Sequence, residues 1–202
     1  MLSLALATGF FLGIHVLISG TRARDRIVAR IGEPGFLGLF SLLSLGGIGW
    51  MGFAYARAPL LPLWGPLPWF RPVALLLMLV SFLFVVVGLT TPSPTATGGE
   101  GRLGSADAVR GILRITRHPF LWGVALWALT HLIANGDGAS SILFAGLLVL
   151  ALIGPGQIDA KRAQRFGDAW QGFAAATSSV PFGAILQGRN RLELGEIGLW
   201  RV

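Results

Sequence analysis

Apolar residues run through this chain in long stretches separated by short polar segments. Five stretches stand out, at about 2–18, 36–56, 72–91, 119–135 and 139–155. Each is near the ~20 residues that carry a helix across a bilayer, the first and the last two being short. No basic residue precedes the first run, and "TRARDRIVAR" follows it, the pattern of an uncleaved first span rather than a signal peptide. The pattern predicts an all-α fold: a polytopic transmembrane helix bundle of about five spans plus a cytoplasmic amphipathic helix. It is read as a single domain, 1–202, with a cytoplasmic or interfacial tail over 156–202.

The connections differ in charge, and the difference sets an orientation. Arg22, Arg24, Arg26 and Arg30 follow the first run, and Arg102, Arg110, Arg114 and Arg117 follow the third. The tail holds Lys161, Arg162, Arg165, Arg189, Arg191 and Arg201. "RAPLLPLWGPLPWFR" has arginine only at its ends, and "NGDGAS" has none. The positive-inside rule then places the N-terminus outside and the C-terminus in the cytoplasm of a bacterial inner membrane. "LPLWGPLPWF" reads as an interfacial loop with aromatic anchors, and "TPSPTATGGEGRLGS" as a flexible linker. In "QIDAKRAQRFGDAWQGFAAAT", Ile158, Phe166, Trp170 and Phe173 share a helical face, as on a helix lying on the membrane surface. Packing of that face on the bundle is the alternative. "VPFGAIL" is too short to span and reads as a re-entrant or interfacial piece.

Composition strengthens the membrane reading. The chain is 53% hydrophobic and 12% charged, more apolar surface than one small core hides. The net charge of +7 sits in segments between apolar runs, which suits anionic headgroups and argues against nucleic acid. No cysteine is present, which excludes disulfides, iron–sulfur clusters and thiol catalysis.

The candidate chemistry lies in three histidines, His15, His118 and His131, all in or beside apolar runs. An ionisable group there is a functional candidate by default. His118 and His131 are 13 residues apart, about 220° and about 20 Å along an ideal helix, so they cannot grip one small ion. "RHP" marks the start of the fourth helix, because proline suits the first helical position. Gly123, Trp127, His131 and Asn135 form one drifting stripe. Neutral imidazole is a good haem ligand, and a bundle encloses haem between histidines on different helices. His15 with His118 or His131 fits that need, Gly13 and Gly123 allow close approach of a flat ring, and Arg117 or Arg22 suits a propionate. The bland alternatives are a capping role for His118 and helix-packing hydrogen bonds for His15 and His131.

"GIH", "GEPGFLGLFSLLSL", "LPWFRP", "RHP", "GVALWALTHLIANGD" and "VPFGAILQGRNRL…GEIGLWR" together resemble the NnrU family of bacterial membrane proteins, over nearly the whole chain. That family is associated with nitrogen-oxide metabolism and is related to the plant 15-cis-zeta-carotene isomerases, which are haem b proteins. The resemblance implies haem b with iron held by His15 and His131, and His118 as a further important histidine; on the residues' own pattern, Arg117 with His118 would support the cytoplasmic side of that pocket and Trp127 and Asn135 would line or orient it. It implies cis–trans isomerisation of a lipophilic substrate, or a non-enzymatic haem sensor or accessory role in nitric oxide metabolism and denitrification. Where the plant enzymes carry a cysteine three residues before the second ligand, this chain has Ala128, against redox ligand exchange.

"RHPFLWG" with "RFGDAWQGFAAATSSVPF" is also similar, more remotely, to membrane methyltransferases of isoprenylcysteine or phospholipid. Their tyrosine is replaced by Leu121 and their acidic pair by Ile158–Asp159, a degenerate site for S-adenosylmethionine. Ideal-helix arithmetic puts His15 and His131 about 10 Å apart in depth, which favours His15 with His118 for an upright haem. The family resemblance favours His15 with His131.

Overall fold

The apolar runs become helices: the first, third and fourth keep nearly the expected limits, whereas the second begins earlier, at Ala23, and the fifth runs on to Ala176. The computed structural model describes residues 1–96, 98–105 and 107–197. The end of "GEIGLWR", Arg201 included, lies outside them. The helices are α1 (Leu2–Gly13), which continues as a π-helical turn Ile14–Ser19, α2 (Ala23–Ala56), α3 (Phe70–Thr90), α4 (Ile112–Ile115), α5 (Pro119–Asn135), α6 (Gly138–Ala176) and α7 (Gly183–Leu186). The fold is all-helical, and among the described residues four helices are long and apolar enough to cross a membrane: α1 with its π turn, α2, α3 and α6. The fourth apolar run forms α5, a helix of 17 residues, about 25 Å long and shorter than a bilayer core.

Two long helices carry breaks that mark changes in composition. In α2, Gly32 takes φ 75° and Pro34 follows, which separates the arginine-rich first turns from the apolar stretch. In α6, Gly167 takes φ 49°, a backbone state that only glycine adopts cheaply. The expected boundary near 155 is absent, because α6 continues through Pro155 into the charged segment.

Two compact units divide the chain, Met1–Leu76 with Ala128–Leu150, and Leu77–Trp127 with Ala151–Val202. In the first, α1 runs antiparallel to α2. Trp50 Nε1 donates to Ser3 Oγ at 3.0 Å, and Gly47 lies beside Phe10 and Phe11. Gly146 of α6 faces Thr8, where a Cβ would come within 2.4 Å of the threonine methyl. Small residues permit this close approach in membranes, where packing rather than water expulsion joins helices. The buried residues Ala7, Phe11 and Met51 are filled in by Leu12, Leu143, Leu147 and Leu150. The proline-rich connection is stitched to the turn before α6: the Leu63 and Trp64 amides donate to the Gly136 carbonyl, and Trp64 Nε1 donates to Ile133 O at 3.0 Å. Trp69, at the end of that connection, is 68% exposed.

In the second unit α3 and α5 meet at glycines. A Cβ on Gly123 would lie 2.9 Å from the Ser81 carbonyl, and Ser81 Oγ donates to Gly123 O at 2.8 Å. The open side of Gly123 is therefore filled by α3, which corrects its expected role beside a flat ring. Trp170 and Phe173 are buried with Ala108 and packed by Leu103, Val109 and Phe166. The apolar face expected on the membrane surface is thus covered by the chain itself. The expected flexible linker is also tied down. Thr95 Oγ1 donates to Arg117 O at 2.8 Å, and Arg162 binds Glu100 at 2.5 Å and the Ala96 carbonyl at 3.1 Å.

Candidate functional site

His15 sits on the π-helical turn, where the helix widens by about one residue per turn. Such turns are rare and cluster at functional positions. Its Nδ1 lies 2.8 Å from the Phe11 carbonyl. A carbonyl only accepts, so the proton is on Nδ1 and the lone pair is on Nε2. In metal-binding histidines generally, such a bond at one nitrogen fixes the tautomer and the ring direction. The ring lies 4.3 Å from Phe11 and 5.0 Å from Phe40, centroid to centroid. Two buried hydroxyls on the same faces, Thr8 Oγ1 of α1 and Ser44 Oγ of α2, have no partner among the described residues. Thr8 precedes His15 by seven residues and Ser44 follows Phe40 by four, spacings that keep each pair near one helical face.

His131, on α5, belongs to the same unit. Its ring stacks on Phe144 of α6 with centroids 4.8 Å apart. Phe144 also meets Tyr55 edge-on at 6.4 Å. Asp137 caps α6, accepting the Ser140 amide at 2.9 Å and its hydroxyl at 2.6 Å. The Ser140 proton is thereby used, so Tyr55 donates to Ser140 Oγ at 2.8 Å. These hydrogen bonds hold the Asp137 carboxyl below the usual carboxylate range against a desolvation that pushes it up. Asn135 ends α5 and is exposed.

Arg117 and His118 belong to the second unit and are brought together on one carboxylate. Asp159 of α6 accepts two bonds from Arg117 Nε, at 2.9 and 3.1 Å, and one from Nη2 at 2.5 Å. His118 Nε2 lies 2.8 Å from the other side of that group, with its side chain 1% exposed. Arg117 also lies over the Trp170 ring at 5.9 Å. As expected, "RHP" opens a helix, with Pro119 its first residue. The guanidinium expected to suit a propionate is engaged by Asp159. Trp127 is half-buried in this unit. Asp159 was the group that reading the residues did not connect to the histidines. Its signal was the degenerate acidic pair at 158–159.

Among the described residues no group of three or more His, Cys, Asp or Glu side chains could hold a metal ion. Haem asks less of a protein, since the porphyrin supplies the equatorial nitrogens and the chain only axial ligands. His15 fits such a ligand, with its proton parked on a carbonyl and unsatisfied hydroxyls on the neighbouring faces.

A family model described as NnrU protein matches residues 3–199. The chain belongs to the NnrU family. This NnrU chain is also similar to 15-cis-zeta-carotene isomerase, chloroplastic, of Zea mays and of Arabidopsis thaliana, 37% identical to each over 82 residues. That stretch takes in 41% of the chain and 22% of each plant protein. No solved structure matches.

Proposed function

We propose that this NnrU protein binds haem b through His15 and His131 and catalyses cis–trans isomerisation of a lipophilic polyene. The observation that carries the reading is the His15 Nδ1–H bond to the Phe11 carbonyl on a π turn, which leaves Nε2 as the ligating atom. Membership of the family and the partial similarity to plant carotene isomerases supply the reaction class. His131 is the second ligand in this reading because it shares a unit with His15, whereas His118 is bonded to Asp159 in the other. Haem iron would supply an electron-accepting centre able to weaken a conjugated double bond. The chain's own residues hold the two imidazoles, keep water away with Phe11, Phe40 and Phe144, and leave the Thr8 and Ser44 hydroxyls for a polar edge of the bound group. The arginine distribution supports a bacterial cytoplasmic membrane with the C-terminus inside.

The test is the absorption spectrum of purified protein after haem-sufficient expression. A Soret band that His15→Ala and His131→Ala abolish, and His118→Ala retains, supports the reading. Its absence from the wild type, or loss only in His118→Ala, overturns the ligand pair. Turnover of a cis-polyene by the haem-loaded protein tests the reaction. A second reading, a haem-dependent sensor or accessory factor in nitric oxide metabolism, is favoured by Ala128. This fully buried residue offers no exchangeable ligand one turn before His131. Nitric oxide binding without polyene turnover selects it.

A further inference from the structure

We infer that residues 178–188 form a non-spanning wedge seated in the lipid at the level where α5 begins. A loop in water shows polar groups outward and tolerates unpaired backbone, because water completes it. This segment has the opposite arrangement. Val180 is 60%, Phe182 43% and Leu186 84% exposed. Much of its backbone is meanwhile paired within the protein, as a lipid-facing irregular segment requires.

The Ser178 carbonyl accepts from the Arg117 amide at 2.9 Å, and the Phe182 amide donates to Ile115 O at 2.8 Å. The Ser179 carbonyl accepts twice, from Thr116 Oγ1 at 2.8 Å and Trp122 Nε1 at 2.7 Å. The Leu186, Gln187, Gly188 and Arg189 amides all donate within the segment. The last carbonyls of α6 are closed as well: Arg189 caps Ala175 and Thr177, and Asn190 Nδ2 reaches Ala176 O at 3.1 Å.

These bonds also fix the depth. They tie the segment to residues 115–122, the stretch where a hydrogen-bonded polar trio gives way to an apolar helix. The trio of Arg117, His118 and Asp159 marks headgroup level, and Trp122 one turn further is an interfacial residue type. Exposed Val180, Phe182 and Leu186 at that depth meet the boundary between headgroups and acyl chains. Phe182 is held at φ 63°, the one positive φ outside glycine among the described residues. Bulky residues avoid that region, and strain of this kind is kept where it directs a side chain to a task. Here the task is to turn the phenyl ring outward into lipid.

The absence of cysteine makes the test clean. Val180→Cys, Phe182→Cys and Leu186→Cys each take one nitroxide in vesicles of mixed phosphatidylcholine and phosphatidylglycerol. Oxygen, which partitions into lipid, is expected to relax labels at 182 and 186 several-fold more than an aqueous nickel chelate does, as at Leu79→Cys in α3. Arg191→Cys is expected to show the reverse. Unmodified protein provides a check independent of folding of the variants: a lipid-soluble photoactivated diazirine should label 178–188. Equal or greater nickel access at 182 and 186, or an unlabelled segment, overturns the inference. Dipolar broadening between labels does so too, because it places a second copy of the chain on the face.

Discussion

His15 and His118 are the same side chain at the ends of apolar helices, in opposite surroundings. His15 touches two phenyl rings and a backbone carbonyl, all neutral. His118 is buried against a carboxylate that also holds a guanidinium. The difference teaches how a chain in lipid affords an imidazole. A neutral ring needs one hydrogen bond for its N–H and keeps the other nitrogen for a ligand. A ring placed among charges becomes part of a unit that must remain complete, because each member solvates the others.

The largest expected effect breaks that unit. Asp159→Ala strands a largely covered guanidinium beside a buried imidazole and should destabilise the protein by about 3 kcal/mol, read as thermal denaturation in detergent. A loss below about 1 kcal/mol would show that Arg117 and His118 find other partners, and the contrast with His15 would disappear. The next effect compares two glycines. Gly123→Ala presses a Cβ against the Ser81 and Val85 backbone, and should cost about 1–3 kcal/mol by the same assay. Gly146→Ala presses only on the Thr8 methyl, a side chain that turns away, so its cost should be smaller. Equal costs would mean that the first unit is packed as rigidly as the second.

His15→Phe keeps the ring contacts and removes one hydrogen bond, so stability should fall by only about 1 kcal/mol. The Soret band expected of the wild type should vanish entirely in this variant. The smallest effect concerns Glu196, where bonds from Arg114 and the Gly111 amide hold the carboxyl down at about 2. The folded value lies below the ordinary 4.5, so this stabilisation is complete above about pH 4.5 and is lost as pH falls toward about 2. The melting-temperature gap between wild type and Glu196→Gln should therefore narrow on going from neutral to acidic buffer. The gap stays small throughout, since the pair is partly exposed.

The helices were legible because lipid imposes a length and a composition on each of them. The start of α5 was legible because Pro119 is a local signal. What needed the structure was long-range. Asp159 reaches His118 across 41 residues, and Arg162 reaches Glu100 across 62, distances at which periodicity carries no information. The amphipathic face around Trp170 was visible in the sequence. Its cover was not, because Leu103 lies in the stretch whose glycine and serine content reads as a linker, and Ala108 and Val109 just beyond it, with no periodic pattern to mark them. The π turn had no local signature in "GIHVLIS".

That turn has a consequence for comparing relatives. A π-helical turn holds about one residue more than α-helical phase allows, and one residue is about 100° of rotation. A relative shorter by one residue between His15 and Gly20 would span the same thickness, yet carry the residues after the turn in a different direction from its histidine. Alignments of such chains need a gap inside the helix. Two sequences aligned without one would match letter for letter around "GIH" while the residues after the turn face different neighbours.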